Sequence, residues 1–177
     1  GSHTTCKQNY ITVLPADNLC NDTATTQPAG FIMDEGTATA NYQNNRTLTN
    51  CKGYLIDPCA GSITLSFDQI KLARGAGESI FVHNGVNKYA PRLAAYFSNA
   101  NGTFPTLTAT SGKMFVYMIT NGSGVDSGFV ARWTSTPATY GKPSASFNLS
   151  QANGLGVDTF YSGFPITFNN TTTGVDA

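Results

Sequence analysis

The chain's reactive inventory is small: four cysteines, ten carboxylates and one histidine, His83, beyond the leading Gly1-Ser2-His3. Cys6, Cys20, Cys51 and Cys59 stand 14, 31 and 8 positions apart. Zinc is held through closely spaced pairs such as C-x2-C, usually with histidines, so this spacing does not read as a thiolate metal site. An even cysteine count in a chain rich in Thr and Asn reads instead as two disulfides formed in an oxidising compartment. His83 has no sequence partner that would complete a nucleophilic triad, and no Gly-x-Ser-x-Gly elbow or phosphate loop occurs. Asp34 and Glu35 are adjacent, so on a strand they point to opposite faces. A glycosidase pair must face across a gap of about 5–9 Å, and nothing here points to one. Catalysis is therefore not expected.

Composition narrows the class. The chain has 177 residues, enough for one domain and a sizeable core. Charged residues make up 11%, against roughly 25% in an average soluble domain. Asn, Thr, Ser and Gly must fill the surface instead, as in turn-rich extracellular β-proteins. Ten basic and ten acidic residues give zero net charge, and Lys52, Lys71, Arg74, Lys88 and Arg92 are scattered. Without a basic cluster no nucleic-acid partner is expected. No apolar run approaches the roughly 20 residues that span a bilayer, so no membrane insertion is expected. Residues 1–3 read as an expression scar. N-x-[ST] sequons begin at Asn21, Asn45, Asn101, Asn121, Asn148, Asn169 and Asn170. They fit both chance in this composition and a glycosylated ectodomain.

Helical periodicity is absent and period-two alternation recurs. Ile63, Leu65 and Phe67 alternate with Thr64 and Ser66, and Phe129, Ala131 and Trp133 with Val130 and Arg132. Ile80 and Val82 form a further run, as do Leu93, Ala95 and Phe97. Residues 114–119 are apolar on both faces. Gly, Asn, Asp or Pro separates these runs, and Asn84-Gly85 and Asn121-Gly122 read as two-residue type I′ turns. The fold class predicted is all-β, an antiparallel β-sandwich. Residues 4–19 form an N-terminal segment with a strand-like run at Tyr10–Leu14. Residues 134–177 form a C-terminal extension that starts like a linker. Strands are then predicted at Ala145–Leu149 and Val157–Tyr161. The many apolar residues in this extension call for burial, in the same sandwich or in an oligomer.

A set of pieces in fixed order carries a family resemblance. Cys20 is followed by Gly30-Phe31-Ile32-Met33-Asp34, then Asn41-Tyr42, then Cys51-Lys52-Gly53-Tyr54-Leu55-Ile56. Next come Ser62–Phe67, Ser79–Gly85, Met114–Thr120 and Gly128-Phe129-Val130-Ala131-Arg132-Trp133. This order, over residues 20–133, resembles the CUB domain family, in a divergent form whose style is closer to microbial than to animal members.

The resemblance implies a CUB-like jelly-roll sandwich with a first disulfide between Cys20 and Cys51. The family's usual second pair has no counterpart. Cys51 and Cys59 flank an extended strand, which keeps them beyond the roughly 7 Å limit of a disulfide. Cys6–Cys59 is then left as the second bond. Many family members bind calcium through three carboxylates. Here Glu78 and Asn121 match two of those positions, with Asp126 nearby, and the third is missing at Lys71-Leu72-Ala73. Calcium is therefore not expected as a cofactor, and Glu78 and Asn121 read first as solvated loop residues. The function implied is an extracellular, secreted or cell-surface module that binds a protein or glycan. Tyr89, Tyr96 and Phe104 are the candidate contacts, each with core or rim packing as the competing reading. The alternatives are a structural or oligomerising unit of a surface fibre through 134–177, and a noncatalytic appendage of a secreted hydrolase.

Overall fold

The computed structural model describes residues 16–75, 77–98, 100, 104–138, 147–151 and 165–171. Contacts divide the chain into two units, residues 1–138 and 139–177. The first unit is a two-sheet sandwich. One sheet contains β1 (Ala16–Asn18), β3 (Ala29–Met33), β10 (Gly128–Pro137), β5 (Ala60–Lys71) and β8 (Leu107–Ala109), in the order β1-β3-β10-β5-β8. The other contains β2 (Ala24–Thr25), β4 (Tyr54–Ile56), β9 (Met114–Ile119), β6 (Ser79–Asn84) and β7 (Arg92–Phe97), in the order β2-β4-β9-β6-β7. The all-β sandwich expected from the alternation is present. Both sheets are mixed and not purely antiparallel, because β1 pairs parallel with β3 and β2 parallel with β4 at the edges.

The core is made by the alternating faces. Ile63, Leu65, Phe129, Ala131 and Trp133 meet Ile80, Val82, Met114, Val116 and Met118 between the sheets. Each fully buried side chain of this size is worth about 1.5–3 kcal/mol by removal from water. Phe67 and Ile70 are an odd number of residues apart, yet both face inward. A register shift between Val130 and Ala131 leaves Asp68 as the extra residue of a bulge and restores the inward face. Trp133 is 1% exposed and its Nε1–H donates to the Gln27 carbonyl at 3.3 Å. The Tyr54 hydroxyl, also in the core, donates to the Asp17 carboxylate and ties β1 to the sandwich. Cys20 and Cys51 are bonded, with Cα atoms 4.4 Å apart.

Three local expectations are corrected. Asn84-Gly85 is not a two-residue turn: residues 85–91 form a seven-residue loop between β6 and β7. Asn121-Gly122 is not a hairpin turn either, because β9 and β10 lie in different sheets and the loop crosses between them. Leu93, Ala95 and Phe97 do not share a face. A register shift between Val82 and His83 leaves Leu93, Ala94 and Tyr96 against the core, while Phe97 points out beside Phe81.

In the second unit, β11 (Phe147–Gln151) pairs antiparallel with β12 (Ile166–Asn170). β11 overlaps the first strand predicted in the extension; residues 157–161 lie outside the described residues. The cross-strand register places Phe147, Leu149, Ile166 and Phe168 on one face, and Phe147, Ile166 and Phe168 are exposed.

Candidate functional site

The two ends of the sandwich differ in chemistry. One end gathers carboxylates. Asp34 follows β3, is fully buried, and accepts hydrogen bonds from the backbone N–H of Gly36 at 2.8 Å and of Phe129 at 2.7 Å. Burial pushes its carboxyl up to about 6, against the opposing pull of those two amides. Glu35 turns the other way and accepts from Arg46 Nε at 2.7 Å and from the Gln43 N–H at 2.9 Å. The buried Tyr42 hydroxyl accepts from the Ala73 N–H at 2.8 Å. Burial raises the Tyr42 phenol, and the Glu78 and Asp126 carboxylates push it the same way.

Glu78 was read as a solvated loop residue; it is instead fully buried just before β6. Its Oε2 accepts from Ser98 Oγ at 3.2 Å, and its Oε1 has no partner. Asn121 Oδ1 and Asp126 Oδ1 already accept from the Ser123 and Ser127 N–H at 2.7 Å each. A hard cation wants about six converging oxygens. These three side chains carry five oxygens, of which Glu78 Oε2, Asn121 Oδ1 and Asp126 Oδ1 already accept hydrogen bonds. Among the described residues no group of three or more His, Cys, Asp or Glu side chains could hold a metal.

The opposite end carries the β6–β7 loop. Four hydrogen bonds hold it. Asn84 N–H donates to Pro91 O at 2.8 Å, Ala90 N–H to Asn87 O at 3.2 Å, and Tyr89 N–H to Asn87 Oδ1 at 2.9 Å. His83 Nδ1 lies 2.8 Å from Ala90 O, so that nitrogen carries the proton. Asn84 Oδ1 accepts from the Ser111 N–H at 3.0 Å and joins the loop to the β8–β9 turn. A Cβ on Gly85 would fall 2.6 Å from Ala90 Cβ, so the loop closes tightly on itself. On this frame Tyr89 is 84% exposed and Val86 48%. Lys88 Nζ sits 5.1 Å from the centre of the Tyr89 ring. Pro91 and Arg92 are exposed beside them.

Of the three aromatics read as contacts, Tyr89 is exposed and Tyr96 and Phe104 are half-buried. Tyr96 and Phe104 pack edge-to-face around Phe67, with ring centres 5.2 and 6.4 Å away, and the Tyr96 hydroxyl is buried. They belong to the core's margin because the inward face of β7 carries Tyr96. Cys59, between β4 and β5, is exposed and unpaired among the described residues, which do not include Cys6. Sequence reasoning missed Lys88 and Arg92 as companions of Tyr89. Their closeness to it in sequence, one position before and three after, was the available signal.

The first unit is thus a two-sheet all-β sandwich closed by the Cys20–Cys51 bond. No protein-family model matches the chain. Among solved structures it is similar in fold to the MASP-1 CUB2 domain bound to Ca2+, with TM-score 0.49 and 17% identity, over 64% of this chain and 97% of that one. It is also similar to the full extracellular region of zebrafish Gpr126/Adgrg6, with TM-score 0.44 and 13% identity, over 78% of this chain and 23% of that one.

Proposed function

We propose that this chain is an extracellular recognition module without catalytic activity, and that its contact surface is the β6–β7 loop. The observation that carries this is Tyr89, 84% exposed on a loop fixed by its own hydrogen bonds. Exposing a large aromatic costs solvation and gives nothing to folding, while a pre-ordered aromatic loses little entropy on contact. The Cys20–Cys51 bond supports an oxidising compartment. The CUB resemblance in the sequence supports a binding role. The test is capture of extracellular proteins and glycans on panels, by the full chain and by Tyr89→Ala. Binding that falls at least tenfold in the variant is expected. Binding that the variant keeps in full moves the surface elsewhere.

A second reading, assembly through the β11–β12 ribbon, rests on the exposed Phe147, Ile166 and Phe168 of one face. A two-stranded ribbon is marginal alone in water. Sedimentation of the full chain across a hundredfold concentration range tests it: a self-associating species supports assembly, and a strict monomer removes it.

A further inference from the structure

We infer that the β6–β7 loop takes an acidic polysaccharide, a pyranose chain bearing carboxylates, with Tyr89 as the stacking platform and Lys88 and Arg92 as the anion contacts. This rests on the reading above that the loop is the contact surface. The chain as a whole is neutral, yet the loop is not. Lys88 and Arg92 are both exposed. The ion pairs of the described residues are Arg46–Glu35, Lys113–Asp57 and Arg132–Asp68, and neither loop cation enters them. Lys113 lies on the neighbouring β8–β9 turn and is already committed to Asp57. Lys88 in the loop and Arg92 at the first position of β7 therefore stand outside the ion pairs of the described residues, four positions apart, with Tyr89 between them in sequence.

The shape selects among anionic partners. Tyr89, 84% exposed, offers its ring face to solvent. A pyranose needs only that flat face for its C–H groups. Lys88 Nζ sits 5.1 Å from the centre of the Tyr89 ring, so a sugar meeting that ring meets the ammonium in the same contact through a ring-borne carboxylate. Two cations are too few for the phosphate-neutralising patch that nucleic acid requires.

The probes are polygalacturonate, hyaluronate and alginate, each immobilised beside its carboxyl-esterified form, which keeps the pyranose and removes the charge. Poly-glutamate and phosphatidylserine vesicles stand for acidic peptides and lipid surfaces. The wild-type chain is expected to bind at least one acidic polysaccharide, and at least about tenfold more weakly after esterification. Lys88→Gln with Arg92→Gln should lose about fivefold or more and flatten the salt dependence, since exposed charges are screened within about 10 Å at 0.1 M salt. Tyr89→Ala should lose at least as much with the salt dependence kept. All three positions are exposed, so unchanged circular dichroism is the folding control. Failure to bind any acidic polysaccharide overturns the inference, as does equal binding to the esterified forms. Equal or tighter binding to poly-glutamate or the vesicles also overturns it. Tyr89-dependent capture of a neutral glycan or protein would remove the acidic polysaccharide and leave the recognition reading standing.

Discussion

The Asp34 carboxylate occupies the space that a side chain on Gly128 would need: an ideal Cβ there falls 1.8 Å from Asp34 Oδ2. Gly128 is also at φ +67°, where an L side chain is strained. The pair joins the end of β3 to the start of β10, because Oδ2 takes the Phe129 N–H. Gly128→Ala should therefore destabilise by roughly 3 kcal/mol or more, combining strain with the displaced carboxylate and its two amides. Urea unfolding measures this. Asp34→Ala combined with Gly128→Ala should cost clearly less than the sum of the two single changes. Strict additivity would mean the two residues do not share that space.

Asp34 also sets a pH dependence. Its folded value, about 6, lies above the ordinary aspartate value of 3.8, so the folded state holds the proton more tightly than the unfolded chain. The stabilisation is present in full below about pH 4 and is lost as pH rises through 6. Two units correspond to roughly 3 kcal/mol at most. Other carboxylates, such as Glu35 paired with Arg46, act in the opposite sense, so the quantity to measure is the stability of wild type minus that of Asp34→Asn. It should grow by about 2 kcal/mol from pH 7 to pH 4.5. A flat or falling difference would contradict the assignment.

Closing the 31-residue separation between Cys20 and Cys51 is worth about 3–4 kcal/mol on the chain-entropy account. Replacing both with alanine should lower the melting temperature accordingly. We propose that the second bond is Cys6–Cys59. β1 runs parallel to β3, so Ala16 opens β1 on the side of the sheet where β5 begins with Ala60. Nonreducing peptide mapping of the protein should return a Cys6–Cys59 peptide. A Cys59 thiol that alkylates fully in the native protein would rule the bond out.

Calcium should not stabilise the fold. Glu78 offers one unpartnered oxygen, while Asn121 and Asp126 each have an oxygen committed to a neighbouring amide. Thermal melts with millimolar Ca2+ and with chelator are expected to coincide. A rise of several degrees on adding Ca2+ would show that these side chains rearrange into a site.

The sandwich was legible because its inner faces obey a simple period. Ile63, Leu65 and Phe67, like Phe129, Ala131 and Trp133, alternate as a half-buried strand must. The loops were less legible because a turn dipeptide states what a backbone can do and not what it does. Asn84-Gly85 permits a two-residue turn, yet the chain continues to Arg92 before pairing again. Bulges hid the facing of Phe97 and Ile70, since one extra residue reverses parity and leaves little trace in composition. The exposure of Tyr89 was legible because it stands between Asn87 and Pro91, in a stretch with no strand to join. The burial of Glu78 was missed because it depends on Ser98 and Tyr42, which are distant in sequence.

Trp133 is the chain's one tryptophan, and it is enclosed between the sheets beside Tyr54 at 6.1 Å. Excited at the red edge of the absorption, where tyrosine absorbs little, the molecule therefore reports from one indole at its centre. Emission should lie toward the blue while the sheets are closed and move to the red when they part. A ligand seated on the Tyr89 loop should leave that spectrum in place, while a substitution that opens the sandwich should shift it. One optical signal thus separates variants that lose a contact from variants that lose the scaffold holding it.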